Sequence, residues 1–181
     1  MCPAANPLRL FVAVYPPPEA AAAILGVLDS MDLAEHRRTP EGQVHMTLQF
    51  IGDTDERELG SVWESVERGA AGVGAFKLTP MRVVTLPERG TPRLVALVTD
   101  APAGLMEIQR RLVKRLARNP RGEQRFTPHF TLCRFAHGAR AERVNQQVRI
   151  EGFEVREVVL MRSVLRPEGA RHEPVTRVTL S

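Results

Sequence analysis

Two stretches of the chain repeat one pattern, HMTLQF at residues 45–50 and HFTLCRF at residues 129–135. Each copy is rich in β-branched, aromatic and leucine residues, which favours a strand, and successive side chains of a strand point to opposite faces. One face of each strand is therefore predicted to carry polar groups, namely His45, Thr47 and Gln49 in the first copy and His129, Thr131 and Cys133 in the second. The opposite face is predicted to be core, with Val44, Met46, Leu48, Phe50, Phe130 and Leu132.

The rest of the chain alternates between strand-like and helix-like patterns. Further strands are predicted over 8–15, 76–86, 93–99, 153–165 and 175–180, with the repeats themselves lying in strands over 44–51 and 126–135. Helices are predicted from Pro18, from Thr54, over 105–116 and over 139–148, and polar loops over 36–42 and 119–122. Strand pairs without an intervening helix argue against a doubly wound parallel sheet. The pattern predicts one α+β domain over 1–181, built of two similar halves.

The polar face of each repeat suits chemistry at a phosphate. A neutral imidazole can take a proton from an attacking water, and a protonated one can give a proton to the departing oxygen. Threonine hydroxyls can donate to the non-bridging oxygens. Histidine is the natural residue for this purpose because its pKa, about 6.5, lies close to neutral pH.

A single His-x-Thr run carries little information, because such short patterns usually mark a half-buried surface pair. The chain has five histidines, and two of them stand in equivalent settings in separate halves. A duplicated fold could keep Thr and Leu for packing, but it would not by itself require His twice. The paired runs therefore predict a site to which each half contributes one histidine.

Composition limits the other function classes. The net charge of +4 favours an anionic partner, and nearly all basic residues are arginine, which binds phosphate in a bidentate manner but is also frequent in proteins from GC-rich genomes. Cys2 and Cys133 form no disulfide framework or paired metal motif, which fits a cytoplasmic protein. The apolar run 8–15 contains Arg9 and is too short to cross a bilayer, so no membrane association is expected.

Two kinds of enzyme are not expected from the motifs. The sequence has neither a phosphate-binding loop of the Gly-x-x-x-x-Gly-Lys type nor a Lys-x-Asp-Gly run, so ligation coupled to ATP is not expected. Two strand histidines without a third ligand at coordinating spacing make a poor metal site.

The paired runs resemble a known family. His45-Met46-Thr47-Leu48 and the segment 126–132 (FTPHFTL) resemble the two His-x-Thr motifs of the 2H phosphoesterase superfamily. The segments 9–13 (RLFVA) and 50–53 (FIGD) are similar to its RNA 2′,3′-cyclic phosphodiesterase branch, also called 2′-5′ RNA ligase. The resemblance extends from about Leu8 to the closing strands.

This resemblance implies two pseudo-symmetric lobes around a central cleft, each an antiparallel sheet with helices outside, with motif one at 45–48 and motif two at 129–132. It implies hydrolysis of RNA 2′,3′-cyclic phosphate ends to a 2′-phosphate, without metal, cofactor or obligate protein partner. His45 would protonate the leaving 3′ oxygen, and His129 would activate water. Thr47 and Thr131 would hold the phosphate. Residue types and spacing alone do not separate the acid from the base.

Other residues have weaker assignments. Phe11 is expected either to stack on a nucleobase or to pack in the core, and Arg134 would reach the phosphate only if strand twist or a bulge turned it from the face opposite His129. Cys133 is interpreted as a small filler rather than a nucleophile. Four arginines could line a basic cleft mouth or lie on the solvated surface, namely Arg37, Arg38, Arg121 and Arg125. Relatives often carry a tyrosine near the position of His172-Glu173-Pro174, and no role is assigned to His36, His137 or His172.

Three alternatives stay open on the sequence alone. The same cleft could bind RNA ends without turnover, through its arginines. It could act on another small cyclic phosphate or on a 2′-5′ oligonucleotide. The same histidines could also run the reaction backwards and join RNA ends.

Overall fold

The structure is a computed structural model, and it describes residues 7–118, 126–166 and 169–181. Within these residues it contains eleven strands and three α-helices. The strands are β1 Leu8–Val14, β2 His36–Arg38, β3 Met46–Thr54, β4 Phe76–Leu78, β5 Pro80–Leu86, β6 Leu94–Thr99, β7 His129–Phe135, β8 Asn145–Gln147, β9 Phe153–Val155, β10 Glu157–Arg166 and β11 Gly169–Thr179. The helices are α1 Pro18–Gly26, α2 Leu59–Ala70 and α3 Ala103–Leu116. None of these helices is long and apolar enough to cross a membrane.

Two antiparallel sheets form the frame of the molecule. The first sheet has the strand order β11-β10-β1-β3, and the second has the order β2-β7-β6-β5-β8. The short strands β4 and β9 pair separately. The predicted α+β fold with one motif in each sheet is confirmed. The sheets do not coincide with the halves of the chain, because β10 and β11 return to the first sheet and β2 joins the second.

One face of each sheet packs with the three helices in a shared core. Along β1 this face carries Leu10, Val12 and Val14, and along β6 it carries Val95 and Leu97. The opposite faces carry separate apolar patches, which consist of Phe11, Ala13, Val159 and Met161 on the first sheet and of Val84, Ala96 and Val98 on the second. These second faces also hold the motif residues, so we call them the cleft faces.

A β-bulge follows the threonine in each motif. In the first sheet Thr47 pairs with Ala13 and Gln49 pairs with Val12, so the intervening Leu48 has no partner. In the second sheet Thr131 pairs with Ala96 and Cys133 pairs with Val95, so Leu132 is the unpaired residue. A bulge places two residues opposite one and changes the alternation of side chains after it. Both leucines are buried in the core.

The bulges overturn two predictions about faces. Phe50 was predicted to lie in the core, but it pairs with the cleft-face residue Phe11 and is 72% exposed. Cys133 was predicted to share the face of His129, but it pairs with the core residue Val95 and is fully buried. Gln49 likewise leaves the face of His45, because its partner Val12 lies in the core. Strict alternation therefore holds only up to Thr47 and Thr131.

Several predicted elements have different bounds or a different type. No helix forms over 139–148, because this segment extends along the edge of β5, where Thr85 N–H donates to the carbonyl of Val144 and Val148 N–H donates to that of Met81. The predicted loop at 36–42 contains β2, which pairs with β7. The predicted strands 76–86 and 153–165 each divide into two, and the strand predicted from Phe126 begins at His129. The predicted turn at 119–122 lies outside the described residues, as do Arg121 and Arg125.

Candidate active site

The two motif histidines are fixed by the same local hydrogen bond. His45 lies directly before β3 and its Nδ1 donates to the carbonyl of Gln43 at 2.7 Å, while His129 opens β7 and its Nδ1 donates to the carbonyl of Thr127 at 2.8 Å. A carbonyl can only accept, so Nδ1 carries the proton in each neutral ring and Nε2 has the free lone pair. His36 makes the same bond to Ala34, so the bond itself is a local feature of a histidine at a strand start.

The motif threonines lie beside these histidines on the cleft faces. Thr47 is opposite Ala13 and Thr131 is opposite Ala96, and both threonines are half-buried. The second motif is further held by Thr39. Its hydroxyl donates to the carbonyl of Thr131 at 3.0 Å, and its N–H donates to that of Leu132 at 2.8 Å.

Aromatic rings surround His45 on the cleft face of the first sheet. The centroid of its ring lies 5.2 Å from that of Phe11, 5.5 Å from that of Tyr15 and 4.9 Å from that of His172. Tyr15 stacks on His45, whereas His172 meets it edge to face. Phe50, turned out of the core by the bulge, lies 6.2 Å from Phe11. We call these four rings, Phe11, Tyr15, Phe50 and His172, the aromatic wall of the first motif.

The environment of His45 favours its neutral form. Burial lowers its pKa to about 4, against the opposing effect of the hydrogen bond to Gln43, and the charges of His172, Arg134 and His129 lower it further. Two of these residues, Arg134 and His129, belong to the second sheet. The two motifs therefore face each other across the cleft within electrostatic range.

The two residues with weaker assignments take different positions. Arg134 pairs with the cleft-side residue Leu94 and is exposed, because the bulge after Thr131 turns it to the face of His129. This is the rearrangement that its predicted contact required. Phe11 is only 3% exposed and packs against His45, so its ring forms part of the wall.

The arginines of β2 divide between the two faces of the second sheet. Arg37 pairs with Arg134 on the cleft side, next to Gly169 of the β10–β11 hairpin. Arg38 points the other way. It donates to the carbonyl of Leu25 at 2.8 Å and to Asp29 at 2.5 Å, so it closes the end of α1 and does not line the cleft.

Cys133 behaves as a core residue. Burial raises the pKa of its thiol, which disfavours the nucleophilic thiolate. Its interpretation as a filler agrees with this environment, although its face was predicted wrongly.

Three cleft residues were not identified from the sequence. Tyr15 could have been found, since it continues the alternation of Phe11 and Ala13 along β1. Phe50 required knowledge of the bulge. His172 lies on β11, far along the chain from either motif, and no pattern marks it.

The donor set does not suggest a metal centre. Within residues 7–118, 126–166 and 169–181, no three His, Cys, Asp or Glu side chains cluster in a way that could hold an ion.

Comparison with known proteins assigns the family. Two facing sheets, each with one His-x-Thr motif, define a 2H phosphoesterase. Residues 16–166 match the model of the 2′-5′ RNA ligase superfamily, and the chain belongs to this family.

Relatives and solved structures agree with this assignment. Two relatives are named RNA 2′,3′-cyclic phosphodiesterase. The one from Thermus thermophilus is 29% identical over 96% of this chain and 90% of its own, and the one from Methanothermobacter thermautotrophicus is 30% identical over 81% and 83%. A crystal structure of a Thermus thermophilus protein superposes with a TM-score of 0.81 at 27% identity, over 95% of this chain and 97% of its own. E. coli LigT complexed with 3′-AMP gives a TM-score of 0.80 over 97% and 99%, and at 23% identity it supports the fold alone.

Proposed function

We propose that this protein hydrolyses RNA 2′,3′-cyclic phosphate ends to 2′-phosphates without a metal. The observation that carries the proposal is the pair of histidines on facing sheets, each with Nδ1 tied to a backbone carbonyl and Nε2 left for proton transfer. The names of two relatives support the same substrate. The proposal includes the cytoplasmic setting predicted from the cysteine content.

The reaction needs one proton removed and one delivered. Water attacks phosphorus while His129 Nε2 takes its proton, the bond from phosphorus to O3′ breaks, and His45 Nε2 gives a proton to O3′. The products are a 2′-phosphate and a free 3′ hydroxyl. Thr47 and Thr131 donate to the non-bridging oxygens, where charge must be stabilised in the transition state.

The low pKa of His45 in the free protein bears directly on its role as the acid. A neutral ring cannot donate from Nε2 while Nδ1 carries its only proton. The bound phosphodiester is an anion, and an anion beside the ring favours the protonated form and raises the pKa. His45 therefore acquires its proton when the substrate binds. Until then, burial of the ring keeps His45 neutral.

Two further side chains are proposed to contact the substrate. Arg134, on the second sheet, would bind an oxygen of the substrate phosphate, since a guanidinium keeps its charge at any working pH. Phe50 has an exposed ring at the rim of the aromatic wall and would stack on the terminal base, an interaction worth about 1 to 3 kcal/mol. Phe11 would support this rim from beneath and would not itself stack on a base.

The experiment is turnover of an RNA ending in a 2′,3′-cyclic phosphate, in excess EDTA, with the product read by phosphorus NMR. We expect a 2′-phosphate as the product. Replacement of His45 or His129 by Asn, which can still donate to the backbone carbonyl, should lower kcat by about 10²-fold or more. His36→Asn, with the same local bond outside the cleft, is the control and should leave kcat unchanged. A 3′-phosphate product, or full activity in both motif variants, would contradict the proposal.

The remaining alternatives give other outcomes of the same assay. Tight, strongly salt-dependent RNA binding without product would indicate an RNA-end-binding module. Turnover only of other cyclic phosphates or of 2′-5′ oligonucleotides would change the substrate but not the chemistry. Reverse ligation would follow from the same histidines in the opposite order and would be seen as a 2′-5′ linked product.

A further inference from the structure

His172 stands in the cleft with an unsatisfied ring nitrogen. Its ring lies edge to face against both His45 and Phe11, with centroids 4.9 Å apart in each case. Its Nδ1 is buried and has no hydrogen-bond partner among the described residues. His172 is therefore held by packing, while one of its polar atoms makes no hydrogen bond beside the first motif.

Unpaired buried polar atoms are uncommon in folded proteins, and each costs about 1 to 3 kcal/mol. The described residues contain two on side chains, His172 Nδ1 and Tyr15 Oη. Both belong to rings that contact His45. Two such atoms, each on a ring that contacts the candidate catalytic His45, make this part of the cleft a candidate site for a polar ligand group.

The position of His172 on the hairpin strengthens this interpretation. His172 pairs with Ser163 of β10, and its ring extends over the cleft face from the strand at the outer edge of the first sheet. Burial lowers its pKa, so its ring is neutral and carries a single N–H. A neutral imidazole can donate to a sugar or phosphoryl oxygen, or accept from a sugar hydroxyl.

We propose that His172 is a substrate-binding residue whose Nδ1 hydrogen-bonds an oxygen of the sugar-phosphate end held at His45. This inference rests on the proposed function. A role limited to packing would need only the ring, whereas a role in binding needs the nitrogen at the Nδ1 position.

Three variants separate these roles. His172→Phe keeps a ring against Phe11 and His45 but removes the nitrogen. His172→Asn loses the ring and keeps an amide group close to the position of Nδ1, and His172→Gln places its amide nearer to that of Nε2. Steady-state kinetics with adenosine 2′,3′-cyclic monophosphate and thermal unfolding should be measured for each.

We expect the order of activity to follow the hydrogen bond and not the ring. His172→Phe and His172→Gln should raise KM about tenfold, the usual scale of one neutral hydrogen bond, and His172→Asn should stay within about threefold of the parent. His172→Phe should have the highest Tm of the three variants, because it alone keeps a ring packed against Phe11 and His45. Unchanged KM in His172→Phe, or a KM in His172→Asn as high as in the other two variants, would overturn the inference.

The matched control is the same set of substitutions at His36, which lies outside the cleft. These should leave KM unchanged. A parent protein that turns over neither the cyclic nucleotide nor an RNA with a 2′,3′-cyclic phosphate end would refute the proposed function itself. An active parent with an unaffected His172→Phe variant would refute only the assignment of His172.

Discussion

At the scale of single residues, His45 combines two demands that oppose each other. As the proposed proton donor it must be shielded enough to transfer a proton without competition from water, yet burial disfavours its charged form. The fold meets the first demand with Phe11, Tyr15 and His172 around the ring. The consequence is a histidine whose neutral form is favoured, and this should be visible in the stability of the protein.

The first prediction concerns acid sensitivity. The pKa of His45 is about 4 in the folded protein and about 6.5 in the unfolded chain. Between these values the unfolded chain binds a proton that the folded protein does not, so the free energy of unfolding rises with pH in this window and is lost as pH falls. The His45 contribution should be fully present above pH 6.5 and reduced by roughly 3 kcal/mol near pH 4.

Urea unfolding at pH 7, 5.5 and 4 measures this effect. The parent should lose roughly 3 kcal/mol more than His45→Asn over the range, because Asn does not titrate. The pKa of His172 is lowered as well and has the same sign, but it is common to both proteins, so the difference isolates His45. Equal losses in the two proteins would show that His45 is solvated in solution.

At the scale of elements, the bulges decide which side chains enter the cleft. Up to each threonine, alternation along the strand correctly placed His45, Thr47, His129 and Thr131. Beyond it, the unpaired leucine after each threonine exchanged the faces, so Phe50 and Arg134 entered the cleft and Cys133 left it. The bulges also explain why leucine follows threonine in both motifs, since Leu48 and Leu132 are the bulged residues and both are buried in the core.

The limits of prediction from the sequence follow from the same physics. Helices α1 and α3 were predictable because their periodicity and starts are local. The helix predicted from Thr54 begins only at Leu59, because the capping box, in which Asp55 accepts from Arg57 N–H and Glu58 accepts from Asp55 N–H, closes a single 3₁₀ turn at 56–58 that precedes α2. The segment 139–148 was not, because pairing with β5 outweighs its weak helix propensity. His172 was missed because its contact with His45 joins residues that only the sheet brings together.

The second prediction tests the contact between α2 and α3. A Cβ at Gly69 would lie 2.9 Å from Cδ2 of Leu112, which is fully buried, whereas a Cβ at Gly60 of the same helix meets nothing within 4 Å. Gly69→Ala should therefore destabilise the protein by about 1 to 3 kcal/mol through overpacking. Gly60→Ala should be neutral or stabilise by up to about 1 kcal/mol through helix propensity.

Thermal and urea unfolding of both variants decide the matter. The two substitutions are chemically identical and lie on one helix, so a difference between them reports packing alone. If Gly69→Ala were as stable as Gly60→Ala, the helices would pack less closely in solution than in the structure. Neither change should alter KM, since α2 lies on the core side of the sheets.

At the scale of the whole molecule, the proposed reaction centre draws its residues from two sheets. The first sheet supplies a half-buried histidine beside an aromatic wall, and the second supplies a histidine accompanied by an exposed arginine. The asymmetry suits a reaction with unequal sides. The wall would receive the base and sugar, while the side of His129 and Arg134 would stay open to water and to the phosphate charge.

The third prediction follows from this division of labour. If His45 and His129 act on opposite sides of one phosphorus, loss of either removes half of a concerted proton exchange, and loss of the second has little left to remove. His45→Asn and His129→Asn should each lower kcat by about 10²-fold or more. The kcat of the double variant should be at most about tenfold below that of the less active single variant. Single-turnover rates with saturating substrate measure this without interference from product release.

Losses that are additive in activation free energy, so that the rate of the double variant falls by the product of the two single effects, would mean that the histidines act in separate steps or at separate sites. The same experiment in His36→Asn backgrounds should show no coupling, since that histidine shares the local geometry but lies outside the cleft.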